Sequence, residues 1–179
     1  YEKAIIKIEE AQKSSAEYYT PSDPEFIKIF YYKAQILNRT GDYEAALDNI
    51  QTVFTSFYPE YKATSNTDIP NISKVTPNHW VLDALEEQGI ILVNKYIKSK
   101  NSDLLETALK SYKSAINDLE VRRKEMDTWE SKESYNQFLY QIYEQALIAA
   151  AWLYQNEPSD KNKSLVLSFL NKSKATLLQ

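Results

Sequence analysis

The segment 30–60 carries residues in an order that is typical of two helices joined by a tight turn. These are a small residue, a large one, a turn glycine, an aromatic, a second small residue, a second large one and a proline: Ala34, Leu37, Gly41, Tyr43, Ala46, Ile50 and Pro59. Glycine accepts the left-handed backbone that often ends a helix, and proline does not continue one. Small residues let two helix backbones approach closely, and bulky ones fill the space around the crossing. The pattern therefore predicts an antiparallel helical hairpin.

Turn residues are scarce in the rest of the chain. The 179 residues include only 2 Gly and 6 Pro, too few for the many short strands of an all-β protein. Apolar residues recur at helical spacing, separated by polar segments with Ser, Thr, Asn, Asp and Pro. The sequence predicts an all-α chain of about seven helices in one domain spanning residues 1–179, with helices at about 1–19, 25–39, 43–57, 77–99 or 78–99, 103–126, 132–155 and 161–179.

One connection is much longer than the others. Residues 58–77 are polar and exceed the usual length of a structureless loop. We therefore expect Ile69, Ile72 and Val75 of this loop to pack onto the helices. At the helix starts, several polar side chains are candidates to accept hydrogen bonds from free backbone N–H groups: Ser22 or Asp23, Thr76, the segment 101–103, and Ser131.

The hairpin pattern of residues 26–59 resembles the tetratricopeptide repeat (TPR), a helix–turn–helix unit with small and bulky residues at fixed positions. Residues 1–11 resemble the second half of a preceding repeat. Equivalent small positions in successive pairs are Ala4, Ala46, Ala108 and Val166, spaced more widely than the period of about 34 residues in the family. The resemblance implies a right-handed α-α superhelix of antiparallel helix pairs.

Four stretches together resemble the repeat region that precedes the caspase-like CHAT peptidase domain of bacterial proteins, particularly those of Bacteroidetes. They are GDYEAALDNIQ, the loop FYPEYKATSNTDIPNISKVTPN leading into VLDALEEQGIIL, the stretch ALKSYKSAINDLEVRRKEMDTWESKESY, and FLNKSKATLL. Val166 departs from the family, which more often has Ala at this position. The resemblance implies a region that senses or presents protein partners for a peptidase domain located after Gln179.

Residue types that carry chemistry are few. The chain has no Cys, and its single His, His79, stands at a predicted helix start, where a capping or surface role is favoured over catalysis. Gly41 and Gly89 stand alone, whereas phosphate-binding loops need several glycines, and no Glu-x-x-His pair of a di-iron bundle occurs. We therefore expect a non-enzymatic chain without cofactor or metal. Hydrolytic activity that is lost in His79→Ala would favour an enzyme instead.

Charge is mild and mixed along the sequence. The 21 basic and 25 acidic residues give a net charge of -4, and no apolar run reaches the length of a membrane span, so we expect neither nucleic acid nor membrane as partner. The adjacent pairs Glu9-Glu10 and Glu86-Glu87 are expected to form solvated faces. The patch 122–124 is expected to make intrahelical salt bridges, with an acidic protein partner as the alternative.

In tetratricopeptide arrays the first helix of each pair lines a concave face on which partner peptides lie. Matching to this motif predicts a protein-binding groove formed by Tyr31, Gln35, Asn38, Asp83, Glu86 and Ile90. The Lys and Asn carboxylate clamp of chaperone-binding members is not visible at these places, which disfavours capture of a free C-terminus. Tyr135, Tyr140 and Tyr143 are interpreted as packing residues, with a role in the groove as the alternative.

Two interpretations of the whole chain follow. The first is a protein-interaction scaffold that regulates an attached peptidase; the alternative is a structural or oligomerisation segment without a peptide groove, which packs on sister copies or a neighbouring domain. The chain begins without Met, already in helical register, and ends on a helical pattern, which predicts a piece of a longer protein. The expected location is the cytoplasm, with the periplasm or secretion as alternatives because the N-terminal part is missing.

Overall fold

The computed structural model describes residues 1–20, 23–72, 78–125 and 129–177, and within them it contains seven α-helices and no β-strand. The predicted all-α class is therefore confirmed. The helices are α1 (Glu2–Ser15), α2 (Pro24–Thr40), α3 (Tyr43–Phe57), α4 (His79–Ser99), α5 (Asp103–Glu125), α6 (Trp129–Asn156) and α7 (Asp160–Leu177). None of these described helices is long and apolar enough to cross a membrane.

Helices α2 and α3 form the hairpin that the turn glycine predicts. Gly41 ends α2 in the left-handed region, with φ of 85°. The carboxylate of Asp42 then caps α3 by accepting a hydrogen bond from the N–H of Ala45 at 3.3 Å. Ala34 in α2 and Ala46 in α3 are both fully buried. The two small residues of the pattern therefore lie in the core, as the prediction requires.

The helices pack in chain order. Each one contacts the next, and in addition α2 contacts α4 and α4 contacts α6. Among the described residues, α3 and α5 have no Cα atoms within 8 Å of each other, and the same holds for α5 and α7 and for α1 and α7. The first helices of successive pairs therefore form one connected layer, as in a stack of helix pairs. The right-handed superhelix stays a prediction.

A close approach of α4 and α5 depends on the second glycine. Gly89 faces the ring of Tyr112, which is fully buried, and a Cβ atom at Gly89 would overlap that ring. Glycine is used here to make room for an aromatic side chain between two helices, a role that its sequence context does not indicate.

Two glutamines attach the long connection to the helices. The side-chain amide of Gln51 donates to the carbonyl oxygens of Asn66 at 3.0 Å and Asp68 at 2.8 Å. The amide of Gln88, in α4, donates to the same Asp68 oxygen at 3.1 Å. The hydroxyl of Tyr61 in turn donates to the Gln51 oxygen at 3.1 Å. Two backbone carbonyl groups of this segment are thus satisfied by buried side chains.

Apolar residues of the same connection reach the core as expected. Ile72 is buried and Ile69 is partly buried against the core, which confirms the prediction for these two residues. Val75 lies outside the described residues.

Helix starts were predicted with mixed success. Asn101 accepts from the N–H of Asp103 at 3.0 Å, as expected for the segment before α5. The cap of α4 is Asn78, which accepts from the N–H of Trp80 at 3.1 Å, while Thr76 is outside the described residues. The prediction for Ser131 is wrong, because α6 begins at Trp129 and already runs through that position.

The prediction for the start of α2 is only partly confirmed. Asp23 is the N-cap position of α2, but its carboxylate bonds to the N–H of Thr20 at 2.6 Å and makes no capping bond. Ser22 lies outside the described residues. The carboxylate therefore bonds to the backbone of Thr20 and not to the first turn of the helix.

The expectations for surface charge are partly met. Glu9 and Glu10 are exposed. Arg122 forms an intrahelical ion pair, and its partner is Asp118, one turn earlier in α5. Tyr143 is 1% exposed and belongs to the core, which confirms its packing role. The hydroxyl of Tyr140 bonds to Glu144 on the same helix.

Candidate protein-binding site

The six residues predicted to line a groove lie on α2 and α4, two helices in direct contact. They are Tyr31, Gln35 and Asn38 on α2, and Asp83, Glu86 and Ile90 on α4. Spacings of three and four residues place each set on one side of its helix. Burial and the charges of Glu87, Asp83 and Glu86 raise the pKa of Tyr31, so the phenol lies within reach of these carboxylates across the helix boundary. The structure thus brings the two sets together.

Asn38 has a different place from the one predicted. It is 7% exposed, its amide nitrogen donates to Glu87 Oε1 at 2.8 Å, and its oxygen accepts from the amide of Asn94 at 3.0 Å. The residue is therefore part of the buried contact between α2 and α4 and does not face an open groove. Gln35 lies beside it, partly buried, and donates to the Tyr31 hydroxyl at 3.0 Å.

The solvated face expected for Glu86 and Glu87 is not observed. Glu87 is 6% exposed, and Glu86 is partly buried. The reason is that α4 is covered by α2 on one side and by α5 on another, so adjacent positions both meet other helices. Burial raises the pKa of Glu87, although hydrogen bonds from Asn38 and Gln35 oppose the rise.

Glu86 is the most strongly affected carboxylate of the site. Burial, followed by repulsion from the charges of Asp83 and Glu87, raises its pKa to about 7. Burial also raises the pKa of Asp83, and the charge of His79 opposes that rise. All three carboxyl groups are thus easier to protonate than in water, chiefly because burial removes water from their charged forms.

No Lys or Arg forms an ion pair with these carboxylates within the residues that the structure describes. The ion pairs there link other carboxylates to Lys or Arg, and none of them includes Asp83, Glu86 or Glu87. Two basic groups act on these carboxylates without forming an ion pair: Arg39 lowers the pKa of Glu87 and His79 lowers that of Asp83. The face therefore carries three carboxyl groups without an ion pair.

Three aromatic side chains form a cluster beside the carboxylates, and we call it the aromatic platform. It consists of Tyr31, Tyr32 and Trp80, with ring centroids 5.6 Å apart for Tyr31–Tyr32 and for Tyr31–Trp80, and 6.1 Å apart for Tyr32–Trp80. Tyr32 is 43% exposed, so the platform is open to solvent. Trp80 lies one turn before Asp83 on α4. This spacing is the only sequence signal that would have added it to the site.

Below this face, the buried ring of Tyr112 reaches the same acidic surroundings. Burial and the charges of Glu86 and Glu87 raise the pKa of Tyr112. Its hydroxyl is buried and has no hydrogen-bond partner in the described part of the chain. A buried hydroxyl without a partner costs free energy, so this group marks an incompletely satisfied polar site.

The described residues hold no group of three or more His, Cys, Asp or Glu side chains placed to bind a metal ion. His79 is exposed and its ring lies 4.7 Å from that of Trp80, between centroids. Comparison with family models, with curated proteins and with solved structures finds no match to this chain. The α2–α4 face is consequently interpreted from its own geometry.

Proposed function

We propose that this chain is a non-catalytic, TPR-like scaffold for protein–protein interaction, and that its binding face is formed by α2 and α4. We further propose that it belongs to the partner-sensing region preceding a CHAT peptidase domain. One observation carries the scaffold proposal: the first helices of two consecutive pairs share a face on which an open aromatic platform adjoins unpaired carboxylates. Exposed aromatic side chains next to polar groups are frequent at protein interfaces.

A partner on this face would contact two helix pairs at once. Such binding favours one relative orientation of the pairs over others, since a ligand shifts an equilibrium toward the state that it binds better. In a stack where each pair contacts mainly its neighbours, the change reaches the following pairs in order. A domain attached after the stack would sense it.

Selection of peptides from a displayed library tests the scaffold proposal. We expect peptides whose binding, measured by calorimetry, weakens about tenfold or more in Tyr32→Ala, because exposed aromatic anchors carry much of the energy of an interface. Tyr18→Ala is the matched control, since Tyr18 is 79% exposed and lies outside the α2–α4 face. Failure to enrich any peptide, or equal effects of the two substitutions, would contradict the proposal.

Self-association is the second candidate function. It is favoured by apolar side chains that are open on three other helices: Ile6 is 54% exposed, Val121 54% and Leu167 49%. Sedimentation velocity over a wide range of protein concentration separates the two functions. A scaffold stays monomeric, whereas an oligomerisation segment forms larger species as its concentration rises. The coding sequence after Gln179 tests the regulatory part, which requires a domain with a His and a Cys of peptidase type.

A further inference from the structure

The carboxylates of the α2–α4 face differ from another acidic side chain at a helix contact. Glu44 on α3 pairs with Lys95 on α4 at 2.5 Å, and hydrogen bonds from Lys95 and Asn66 lower its pKa. Asp83, Glu86 and Glu87 form no ion pair in the described residues, although Glu87 accepts hydrogen bonds from the amides of Asn38 and Gln35. A positive group supplied from outside would stabilise their charged forms by the same physical effect.

The aromatic platform indicates which kind of cation would bind to these carboxylates. The rings of Tyr31 and Trp80 lie next to the carboxylates, and aromatic faces attract ammonium and guanidinium groups. The described residues offer no metal-binding group, so an organic cation fits this face better than a metal ion. Ile90 follows Glu86 by one helical turn and provides an apolar contact for the aliphatic part of a long basic side chain.

The hydroxyl of Tyr112 is a further polar group without a partner in the described part of the chain, close enough to the same carboxylates to be affected by their charges. It is buried, it has no hydrogen-bond partner in the described residues, and the charges of Glu86 and Glu87 act on it. Proteins rarely leave such a group unsatisfied, so the polar surroundings of Glu86 are incomplete inside the chain as well as at its surface.

We propose that the α2–α4 face binds a basic segment of a partner protein, with a Lys or Arg side chain held between the carboxylates of Asp83 and Glu86 and the aromatic platform. This inference rests on the proposed function, because it specifies the partner of the same face. It commits to a positively charged partner, opposite in charge to the free carboxylate that a Lys and Asn clamp would capture.

Three short peptides test the proposal on the intact chain. The first alternates Lys and Ser, the second replaces each Lys by norleucine, and the third replaces each Lys by Glu. Binding is followed by the NMR signal of the Trp80 indole N–H, which is assigned by its loss in Trp80→Phe. We expect the Lys peptide to shift this signal and the other two to leave it in place, because norleucine keeps the apolar stem but not the charge.

Substitutions at the face test whether binding of the Lys peptide depends on the carboxylates. Glu86→Gln and Asp83→Asn are each expected to weaken binding of the Lys peptide about fivefold or more, the range for close charge contacts at interfaces. Glu106→Gln is the control for general attraction by a negative protein. The substitution removes one negative charge, as Glu86→Gln does, but from an exposed position on α5. It is expected to change the affinity by less than about twofold, as usual for a distant exposed charge.

The outcomes separate this inference from the function on which it rests. If the norleucine or Glu peptide shifts Trp80 as strongly as the Lys peptide, the face still binds protein but the basic partner is wrong. If Glu106→Gln weakens binding as much as Glu86→Gln, the attraction is not specific to this face, and the inference is overturned. If the Lys peptide leaves Trp80 unshifted while library-selected peptides bind, the inference fails and the scaffold stands. If no peptide of any kind binds, both fail.

Discussion

Glu120 in α5 and Glu86 in α4 are both partly buried glutamates at helix contacts, yet their surroundings shift the pKa of the two carboxyl groups in opposite directions. Burial acts to raise the pKa of Glu120, but hydrogen bonds from the Tyr143 hydroxyl and from Lys172, at 3.1 Å, outweigh it and lower the pKa. At Glu86, burial and neighbouring carboxylates act in the same direction and raise the pKa to about 7. Compensation is present at one site and missing at the other.

The tyrosines next to these glutamates show the same difference. Tyr143 and Tyr112 are both almost fully buried, at 1% and 0% exposure. The hydroxyl of Tyr143 donates to Glu120, whereas that of Tyr112 has no partner in the described residues. Glu120 and Tyr143 are thus paired with each other, whereas neither Glu86 nor the Tyr112 hydroxyl has a hydrogen bond or ion pair among the described residues. An unpaired carboxylate on the α2–α4 face is the property expected of a surface that binds another molecule.

The largest expected effect is at the close approach that places Tyr112. Gly89→Ala puts a methyl group into the buried Tyr112 ring, and overpacking of this kind is expected to lower the free energy of unfolding by about 2–3 kcal/mol. The gain in helix propensity from Gly to Ala, about 1 kcal/mol, offsets only part of the clash. Urea unfolding followed by circular dichroism measures the change. Equal stability of the variant and the parent chain would show that the Tyr112 ring can move to make room for the methyl group. Gly89 would then not determine the position of this ring.

Glu86→Gln is expected to have the next largest effect, and the effect depends on pH. The folded-state pKa of about 7 lies above the ordinary value of 4.5, so the folded protein binds more protons between these values and its stability falls as pH rises through this window. At about 1.4 kcal/mol per pKa unit, reduced for partial exposure, the free energy of unfolding is expected to be about 2 kcal/mol lower above pH 7 than below pH 4.5. Glutamine has no charge, so the variant is expected to be more stable than the parent chain above pH 7.

Urea unfolding across the window from pH 4.5 to pH 7 checks this expectation. The titratable groups that face Glu86 are Asp83 and Glu87 on its own helix, Tyr31 from α2 and Tyr112 from α5. Glu106→Gln, on the exposed side of α5, is the control and is expected to keep the pH dependence of the parent chain. An unchanged slope in Glu86→Gln would show that Glu86 is compensated after all.

A pair of smaller effects compares the two tyrosines directly. Tyr143→Phe removes a hydrogen bond to a charged group and is expected to cost about 1–2 kcal/mol of stability. Tyr112→Phe removes a buried hydroxyl that has no partner in the described residues, and is expected to be neutral or stabilising by up to about 1 kcal/mol. Each variant serves as the control for the other, since both keep the ring. Equal losses of stability would break the comparison.

The smallest effect is expected at the edge of the compensated site. Lys172→Met keeps most of the side-chain length but removes the cation beside Glu120, and exposed ion pairs contribute less than about 1 kcal/mol. The midpoint of thermal unfolding should fall slightly, while Lys174→Met, on an exposed position of the same helix, should leave it unchanged. A fall as large as that of Tyr143→Phe would show that the two contacts to Glu120 are not separable.

Local signals were enough to predict the helical hairpin and much of the helix order. Gly41 and Asp42 determine the turn through their own backbone and side chain, so the predicted bounds of α3 agree with the structure. Ser131 has a side chain suited to a cap, but α6 begins before it, because capping preference is weaker than the packing that sustains a long helix. Helix boundaries of this kind are not determined locally.

The character of the candidate site was less accessible from sequence. The positions on α2 and α4 were obtained from the repeat motif, but the burial of Glu87 and Asn38 depends on which helix covers α4. One signal was present: α4 carries apolar residues on nearly all sides, which is typical of a central helix. The carboxylates within such a helix were therefore poor candidates for a solvated face. The meeting of Tyr32 with Trp80 requires tertiary structure.

The carbonyl oxygen of Asp68, which accepts hydrogen bonds from both Gln51 and Gln88, has a mechanical consequence for the stack. One atom is held from two helices that belong to different pairs. If α3 were to slide along α4 by a single turn, at least one of these bonds would break. The connection between the pairs therefore favours one axial register of α3 against α4.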